Sequence, residues 1–498
     1  MAGPFPAGGV TRDDRGVAHY EGLPASLLDM LSRHMAATPD DEAVVEIGGG
    51  RLSYQELWDA ARRVAGGLAD RGLARGDRVA VRYPAGLDWV LAFWGTLLAG
   101  SVPVAVNTRL AGPETEFVLA DCGARVDLAP GTPLPDGAPR PLPDLAARDI
   151  AGMFYTSGTT GRPKGVPTTH EAFLSNAESM LRGLGTPLAD GRELRTLISV
   201  PLFHVTGCNS QLLTAAYAGG TAVILPALDL PALARALAAE QISFLVTVPA
   251  VYALLLRHPA FASADISAVR WVGYGGAPIA PALVSALKKA FPAAGVFNGY
   301  GMTETASLLT VLPDADAVEH ADSVGYAVPV VDLKVDPLGG DPGTGELLAR
   351  GPNVMTGYWN RPEEDAATFA DGWLRTGDVV RLDAAGRVHI IDRLKDIINR
   401  GGENVSSVEV EAALATAPGV LEAAVIAVPD EVMGEKVGAV LVGDVDVAAV
   451  LAYCRDRLAD YKIPQYVSVV PGPLPRNAGG KLLTSRLRAE VAWGPPLR

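Results

Sequence analysis

Between Arg78 and Tyr300 the chain repeats one pattern: a short apolar run, a helical stretch, then another apolar run. The runs include RVAVRY (78–83), VPVAV (102–106), TLISV (196–200), TAVIL (221–225), SFLVTV (243–248), VRWVGY (269–274) and GVFNGY (295–300). Helical stretches fall at 87–99, near 208–218, at 231–240 and at 281–290. Strands that are apolar on both faces need cover on both sides, and strand–helix–strand crossovers supply it. The expectation is an α/β fold whose large N-terminal region is built on parallel-rich sheets. Upstream, VVEIGGGRLSYQEL (44–57) predicts a hairpin through three glycines and then a helix, with Ser53 and Glu56 at capping-box spacing.

After about residue 320 the texture changes. Turn signals such as PLGGDPGTGE (337–346) and DAAGR (383–387) separate short strands and predict a small β-rich subdomain. From about 396 a compact α+β pattern follows: a helix near 407–416, two strands within 423–443 and a helix at 446–459. This predicts a C-terminal domain of roughly a hundred residues.

Composition narrows the function classes. With 498 residues, 49% hydrophobic and 20% charged, the chain has enough apolar material for sizeable cores. A net charge of -14 argues against general binding of nucleic acid or anionic membrane. Cys122, Cys208 and Cys454 are scattered, outside metal-ligand or redox-motif spacing, and point to a reducing cytoplasm. The first residues, MAGPFPAGGVTRDDRG, lack the apolar core of a signal peptide. The uncharged stretch Trp89 to Asn107 is long enough for a membrane span, but Gly100, Ser101 and Pro103 interrupt it. A buried helix turning into a buried strand is expected there instead, with no integral membrane segment.

YTSGTTGRPKGVP (155–167) interleaves glycines, hydroxyls and two cations, which is a recipe for holding phosphate. It is not a Walker loop: from Gly158 the sixth position is Pro163, and from Gly161 it is Val166. The apolar run before it, IAGMFY, predicts a strand. The next helix is expected to start near Thr168, capped through Glu171, with Phe173, Ala177, Met180, Leu181 and Leu184 inward. The expectation is a long, mobile flap. Composition alone leaves a phosphate site and a plain surface loop both open.

The motif resembles the signature loop of the adenylate-forming superfamily, which includes acyl-CoA synthetases, peptide-synthetase adenylation domains and luciferases. Four further stretches resemble that family in order: GYGGAP (273–278), NGYGMTET (298–305), GWLRTGDVVRLDAAGRVHIIDRLKDIINRGGENV (372–405) and LPRNAGGKLL (474–483). The resemblance runs from about residue 40 to 487 and is closest to the acyl-CoA synthetases.

The resemblance implies a two-step reaction. A carboxylate attacks the α-phosphorus of ATP, giving an acyl-adenylate and pyrophosphate; a thiol then displaces AMP. It implies ATP and Mg²⁺, with coenzyme A as co-substrate, and a small organic acid as partner. By position, Thr156, Ser157, Gly158, Thr159, Thr160 and Lys164 would clamp phosphates. Gly275, Gly276 and Ala277 would flank adenine, Asn298 would read its amino group, and Tyr300 and Gly301 would lie against it. Thr303 would bond the α-phosphate and Glu304 would hold Mg²⁺; Asp378 would take the ribose hydroxyls and Arg393 the ribose or a phosphate, unless Arg393 is spent on a surface pair with Asp392 or Asp396. Lys481 would be the catalytic cation bridging carboxylate and α-phosphate. His204, Val205, Val246, Thr247 and Tyr274 would line the acid pocket. Neither PLFHVTG (201–207) nor these strand ends carry a lysine or arginine, which favours an aliphatic or aromatic acid over a dicarboxylate.

The implied domains are 1–393, a hinge at 394–396 centred on Lys395, and a mobile domain at 397–498, with Gly401 and Gly402 lining a thiol tunnel. Two departures stand out. Gly479 replaces the usual Thr or Ser before Gly480-Lys481, and the proline-rich segment 127–150 is short, which bears on the pocket wall or on the surface of an expected homodimer. Two other readings compete. One is a stand-alone adenylating enzyme with a carrier-protein thiol, an amine or nitrite (in a diazotase-like reaction) as the second reactant. The other is a non-catalytic nucleotide sensor.

Overall fold

The alternating runs become two parallel-rich sheets in the computed structural model, which describes residues 3–156, 163–185, 188–338, 343–400, 403–430, 432–476 and 482–497. The larger sheet has nine strands. Their order is Tyr326–Ala327, Thr310–Leu312, Gly295–Tyr300, Trp271–Gly275, Phe244–Thr247, Arg195–Ile198, Thr221–Ile224, Glu42–Glu46 and Arg51–Ser53. The six inner strands are parallel and the flanking ones antiparallel. A five-stranded sheet runs Ala124–Leu128, Arg78–Val81, Val102–Ala105, Ile150–Thr156 and Lys164–Thr169, with only the last strand antiparallel.

Local signals explain much of this. Ser53 Oγ accepts the Glu56 N–H at 3.2 Å and Glu56 accepts the Ser53 N–H at 2.9 Å, completing the expected capping box. Helix Leu87–Leu98 turns into strand Val102–Ala105, both buried, and among the described residues no helix is long and apolar enough to cross a membrane. One large core joins Trp89, Phe93, Trp94, Phe154 and Phe173; a second, on the other face of the nine-stranded sheet, joins Leu197, Val223, Leu245, Tyr252 and Val272. The three cysteines are free and buried.

A strand stands where the helix was expected to begin: Lys164–Thr169 pairs antiparallel with Ile150–Thr156, Thr156 facing Lys164, while the expected flap at 157–162 lies outside the described residues. Thr168 is spent on that ladder, opposite Gly152. The cap of helix His170–Leu184 is therefore Thr169, whose hydroxyl accepts the Ala172 N–H at 3.1 Å. The five expected inward residues of this helix are buried.

The short 127–150 segment lies along helix Tyr54–Asp70. A Cβ at Gly66 would meet the Ala138 carbonyl oxygen at 2.3 Å, and one at Gly67 the Asp136 nitrogen at 2.4 Å. Backbone thus packs on backbone, which only glycine permits. Arg63–Asp136 at 2.6 Å flanks the contact.

Two units separate by internal contacts: residues 1–334 with 349–374 and 384–388, and residues 335–348 with 375–383 and 389–498. The second contains strands Gly434–Gly443 and Val420–Asp430, antiparallel, with Tyr466–Val470 parallel to the former. Helices Ser407–Ala415 and Val447–Arg455 cover this sheet through Val410, Leu414, Val450 and Leu451. The latter helix ends before the expected 459.

Candidate active site

In the first unit, strands Phe244–Thr247, Trp271–Gly275 and Gly295–Tyr300 end side by side. Their register sets Thr247 opposite Tyr274, Tyr274 opposite Asn298, and Gly275 opposite Gly299. In open α/β sheets ligands bind at such carboxyl ends. Gly276 adopts φ +72°, and a Cβ on Gly275 would meet the Gly299 carbonyl oxygen at 2.3 Å, so this turn excludes side chains. Ala277 follows directly, and Asn298 is buried while Tyr300 is half-buried.

The five residues expected around the acid do not all share one face. Val205 and Val246 belong to the first core, whereas Tyr274 belongs to the second. Thr247 sits in register with Tyr274, and the hydroxyls of both are buried without a hydrogen-bond partner among the described residues. His204 opens the short helix Val205–Gly207, its ring 4.7 Å from that of Phe203. Burial, aided by the Arg109 charge, pushes its pKa down to about 4. Arg109 thus brings a cation near His204 that neither neighbouring segment disclosed.

His170 behaves alike: it is fully buried, its Nδ1 accepts the Leu27 N–H at 3.2 Å, and burial pushes its pKa down to about 4. Both imidazoles fold neutral, so their contribution is complete above the ordinary value of 6.5 and is lost as pH falls toward 4. Each shift corresponds to roughly 3 kcal/mol. Urea midpoints are expected to drop steeply between pH 6.5 and 4, and His170→Gln with His204→Gln to flatten that slope; an unchanged slope would contradict the assignment.

Thr303 and Glu304 occupy a 3₁₀ turn, Thr303–Thr305, followed by Ala306 at φ +52° and Ser307 at φ +105°. Left-handed backbone at non-glycine residues costs roughly 1–3 kcal/mol each and persists only when surroundings enforce it. Here they do. The Asn209 amide donates to the Ala306 carbonyl, and the Ser210 and Ser307 hydroxyls meet at 2.6 Å. The Asn353 amide donates to the carbonyls of Thr305 at 3.0 Å and Leu308 at 2.6 Å, and the Met355 N–H to that of Glu304 at 2.8 Å. Asn209 and Ser210 lie on a π-helical turn, Cys208–Leu213, a form that concentrates at functional sites. A plain helix was expected there.

Glu304 and Lys164 converge on Tyr358. Its hydroxyl donates to Glu304 at 2.8 Å, and the Lys164 ammonium lies 4.2 Å from its ring centroid while pairing with Glu364 at 2.8 Å. Burial, then the Glu304 charge, holds the Tyr358 phenol protonated far above its ordinary range. Thr303, Glu304, Thr168 and Met355 line a cavity of about 990 Å³ beside them. No group of three or more metal-ligating side chains gathers among the described residues. A metal at Glu304 would therefore draw its other ligands from phosphate oxygens and water, which is the habit of Mg²⁺.

In the second unit Asp378, 2% exposed, accepts from Arg393 Nε at 2.6 Å. The neighbouring carboxylates do not take the Arg393 side chain: Asp392 accepts from the Ser407 hydroxyl and N–H and from the Arg393 backbone N–H, and Asp396 pairs with Arg488 at 2.9 Å. Arg488 also donates to the Lys395 carbonyl at 3.2 Å, tying the expected hinge to helix Thr484–Glu490. Ser157, Gly158, Thr159, Thr160, Gly401, Gly402 and Lys481 lie outside the described residues. Tyr358, Asn209, Asn353 and Arg109 escaped sequence reading; Tyr358 stands in GYW, the one candidate signal among them.

Comparison with known proteins gives a consistent result. The family model of AMP-binding enzymes matches residues 31–136 and 127–359, and that of the AMP-binding enzyme C-terminal domain matches 409–481. A long-chain-fatty-acid–CoA ligase of Mycobacterium tuberculosis, FadD13, is 34% identical over 94% of this chain and 99% of its own. A feruloyl-CoA synthase of an Amycolatopsis species is 37% identical over 89% of this chain and 95% of its own. The structure of Bacillus subtilis o-succinylbenzoate coenzyme A synthetase with ATP and magnesium superposes with a TM-score of 0.83 at 30% identity, covering 93% of this chain and 98% of that one.

Proposed function

Because this chain belongs to the AMP-binding enzyme family, we propose that it is an ATP-dependent carboxylate–CoA ligase that works through an acyl-adenylate. The observation that carries the reading is the meeting of Lys164 and Glu304 at Tyr358: a cation and a carboxylate from two distant motifs, beside a cavity. The relatives are named as CoA ligases, which supports coenzyme A over a carrier thiol, an amine or nitrite.

The first half-reaction is charge management. Anions must approach one another while pyrophosphate departs, so fixed cations and oriented donors carry the work. Mg²⁺ bound at Glu304 would supply neutralisation of phosphate charge. Lys164, with Thr156 opposite it on the hairpin, would hold the departing phosphates. The Thr303 hydroxyl would bond the α-phosphate from a turn that Asn209, Ser210 and Asn353 keep in one shape. Gly275 and Gly276 leave room for adenine against the backbone, with Tyr300 on its other side and Asn298 at its edge. Asp378 and Arg393 would take the ribose, and Lys481 would sit between carboxylate and α-phosphorus.

For the acid, neutral His204 with Val205 and Val246 offers a mainly apolar wall, which suits an aliphatic or aromatic carboxylate. The 397–498 domain would then turn about Lys395, removing Lys481 and admitting the thiol. Purified protein given ATP, Mg²⁺ and a panel of acids is expected to form acyl hydroxamate with hydroxylamine, and an acyl-CoA mass only when CoA is present. Failure with every acid would refute adenylation; adenylate without thioester would refute the CoA half.

A further inference from the structure

We propose that Tyr358 is a positioning residue for the adenylation half: its hydroxyl orients the Glu304 carboxylate, and its ring seats the Lys164 ammonium. The inference rests on the reading above, in which Glu304 serves the metal and Lys164 the phosphates. One side chain then sets the spacing between the two groups that must hold Mg²⁺ and phosphate together.

The ring is well fixed. It is 9% exposed and packs with Val166, Met355 and Leu374. Its own N–H donates to the Asp365 carboxylate at 2.7 Å. From that seat the hydroxyl reaches Glu304 at 2.8 Å, and no other side chain among the described residues is bonded to this carboxylate. A carboxylate has about four acceptor sites, so one donor orients it and leaves the rest for a cation and its waters. An unrestrained glutamate samples many rotamers, and that freedom is lost on metal binding. The tyrosine removes it beforehand, which is how partners of ligating groups strengthen a metal site.

Lys164 is held from two sides, by the ring at 4.2 Å and by Glu364 at 2.8 Å. Its ammonium stands on the ring while Glu304 takes the hydroxyl, so the two groups meet one side chain at different places. Direct pairing would neutralise both groups and spoil each for its task. The tyrosine hydroxyl bonds the carboxylate while carrying no charge, and its ring bears the cation. Phenylalanine keeps the ring and loses the hydroxyl; leucine loses both.

The test compares Tyr358→Phe, Tyr358→Leu and Glu304→Gln in the full chain. Calorimetry would follow binding of ATP with Mg²⁺ and of ATP with EDTA, beside thermal unfolding. Tyr358→Phe is expected to weaken Mg²⁺–ATP binding roughly ten-fold, because Glu304 regains rotamer freedom that must be lost again on binding the metal. Metal-free ATP binding should match the parent, and the Tm should fall by no more than the loss of one hydrogen bond allows. Tyr358→Leu should also weaken metal-free ATP binding, because the seat of Lys164 is gone. In Tyr358→Phe the Mg²⁺ requirement of pyrophosphate release should rise while thioester formation from supplied acyl-adenylate stays constant; a merely structural role would lower both halves alike. If Tyr358→Phe binds Mg²⁺–ATP normally while Glu304→Gln does not, the positioning role is overturned and the metal reading stands. If Glu304→Gln also binds it normally, the metal reading falls and the inference with it.

Discussion

Lys481→Ala is expected to remove acid-dependent pyrophosphate release by a factor of at least roughly 10²–10³, the cost of losing one donor aimed at developing charge. Thioester formation from supplied acyl-adenylate should continue near the parent rate. The asymmetry follows from charge. In the first half two anions, carboxylate and α-phosphate, must come within bonding distance, and negative charge grows on the bridging oxygens. An ammonium between them stabilises that arrangement more than it stabilises the separated reactants, so it lowers the barrier. In the second half a thiolate attacks a neutral acyl carbon and AMP leaves, and a lysine in the same place would block the approach. The measurement is pyrophosphate release with acid and ATP, set against acyl-CoA formation from synthetic adenylate. Equal loss in both would refute a lysine that serves only one half. Restored activity in Lys481→Arg would show that charge alone suffices, since arginine cannot reproduce a compact ammonium.

Features governed by neighbours in sequence were legible in advance. The Ser53–Glu56 capping box spans four residues, and its two hydrogen bonds form as the spacing required. The alternating runs from 78 to 300 became parallel strands because runs apolar on both faces had no other stable arrangement. Misreadings came where distant partners decide. The helix was expected to start near Thr168, yet Lys164–Thr169 is a strand because Ile150–Thr156 presents an edge for it. That edge also moved the helix cap from Thr168 to Thr169. The turn at Cys208–Leu213 widened into a π-helix that carries Asn209 to the Ala306 carbonyl and Ser210 to the Ser307 hydroxyl, nearly a hundred residues on.

The site shows the same division. Motif positions located Glu304, Lys164, Asp378 and Arg393, but not their bonding. Tyr358 lies 54 residues from Glu304 and its hydroxyl is silent in sequence until the fold closes. Acid-pocket positions chosen as strand ends split between two faces, because successive strand residues point to opposite sides. Thus Val246 and Thr247, adjacent in sequence, point to opposite faces of their strand.

Asp378→Ala, in contrast to the lysine variant, is expected to harm both halves. The ribose it would hold belongs to AMP, which is present in ATP, in the acyl-adenylate and in the leaving group. A loss there weakens every state up to product release. Two hydrogen bonds from ribose hydroxyls to a carboxylate are each worth roughly 1.5–3 kcal/mol when charge-assisted, so ATP affinity should fall by roughly two orders of magnitude or more. Asp378 is 2% exposed and pairs with Arg393 Nε at 2.6 Å, so removal also takes away the partner that places this half-exposed guanidinium. Asp378→Asn keeps the shape and one acceptor but loses the charge; it should be intermediate, with Arg393 less firmly placed. The deciding measurement is the ratio of the two half-reactions at subsaturating nucleotide or adenylate. For Lys481→Ala that ratio should shift by orders of magnitude toward thioester formation. For Asp378→Ala it should stay within a few-fold of the parent while both rates fall. A defect confined to pyrophosphate release would mean that Asp378 acts on the phosphates and not on the ribose, and would place the charge pair with Arg393 in the first half alone.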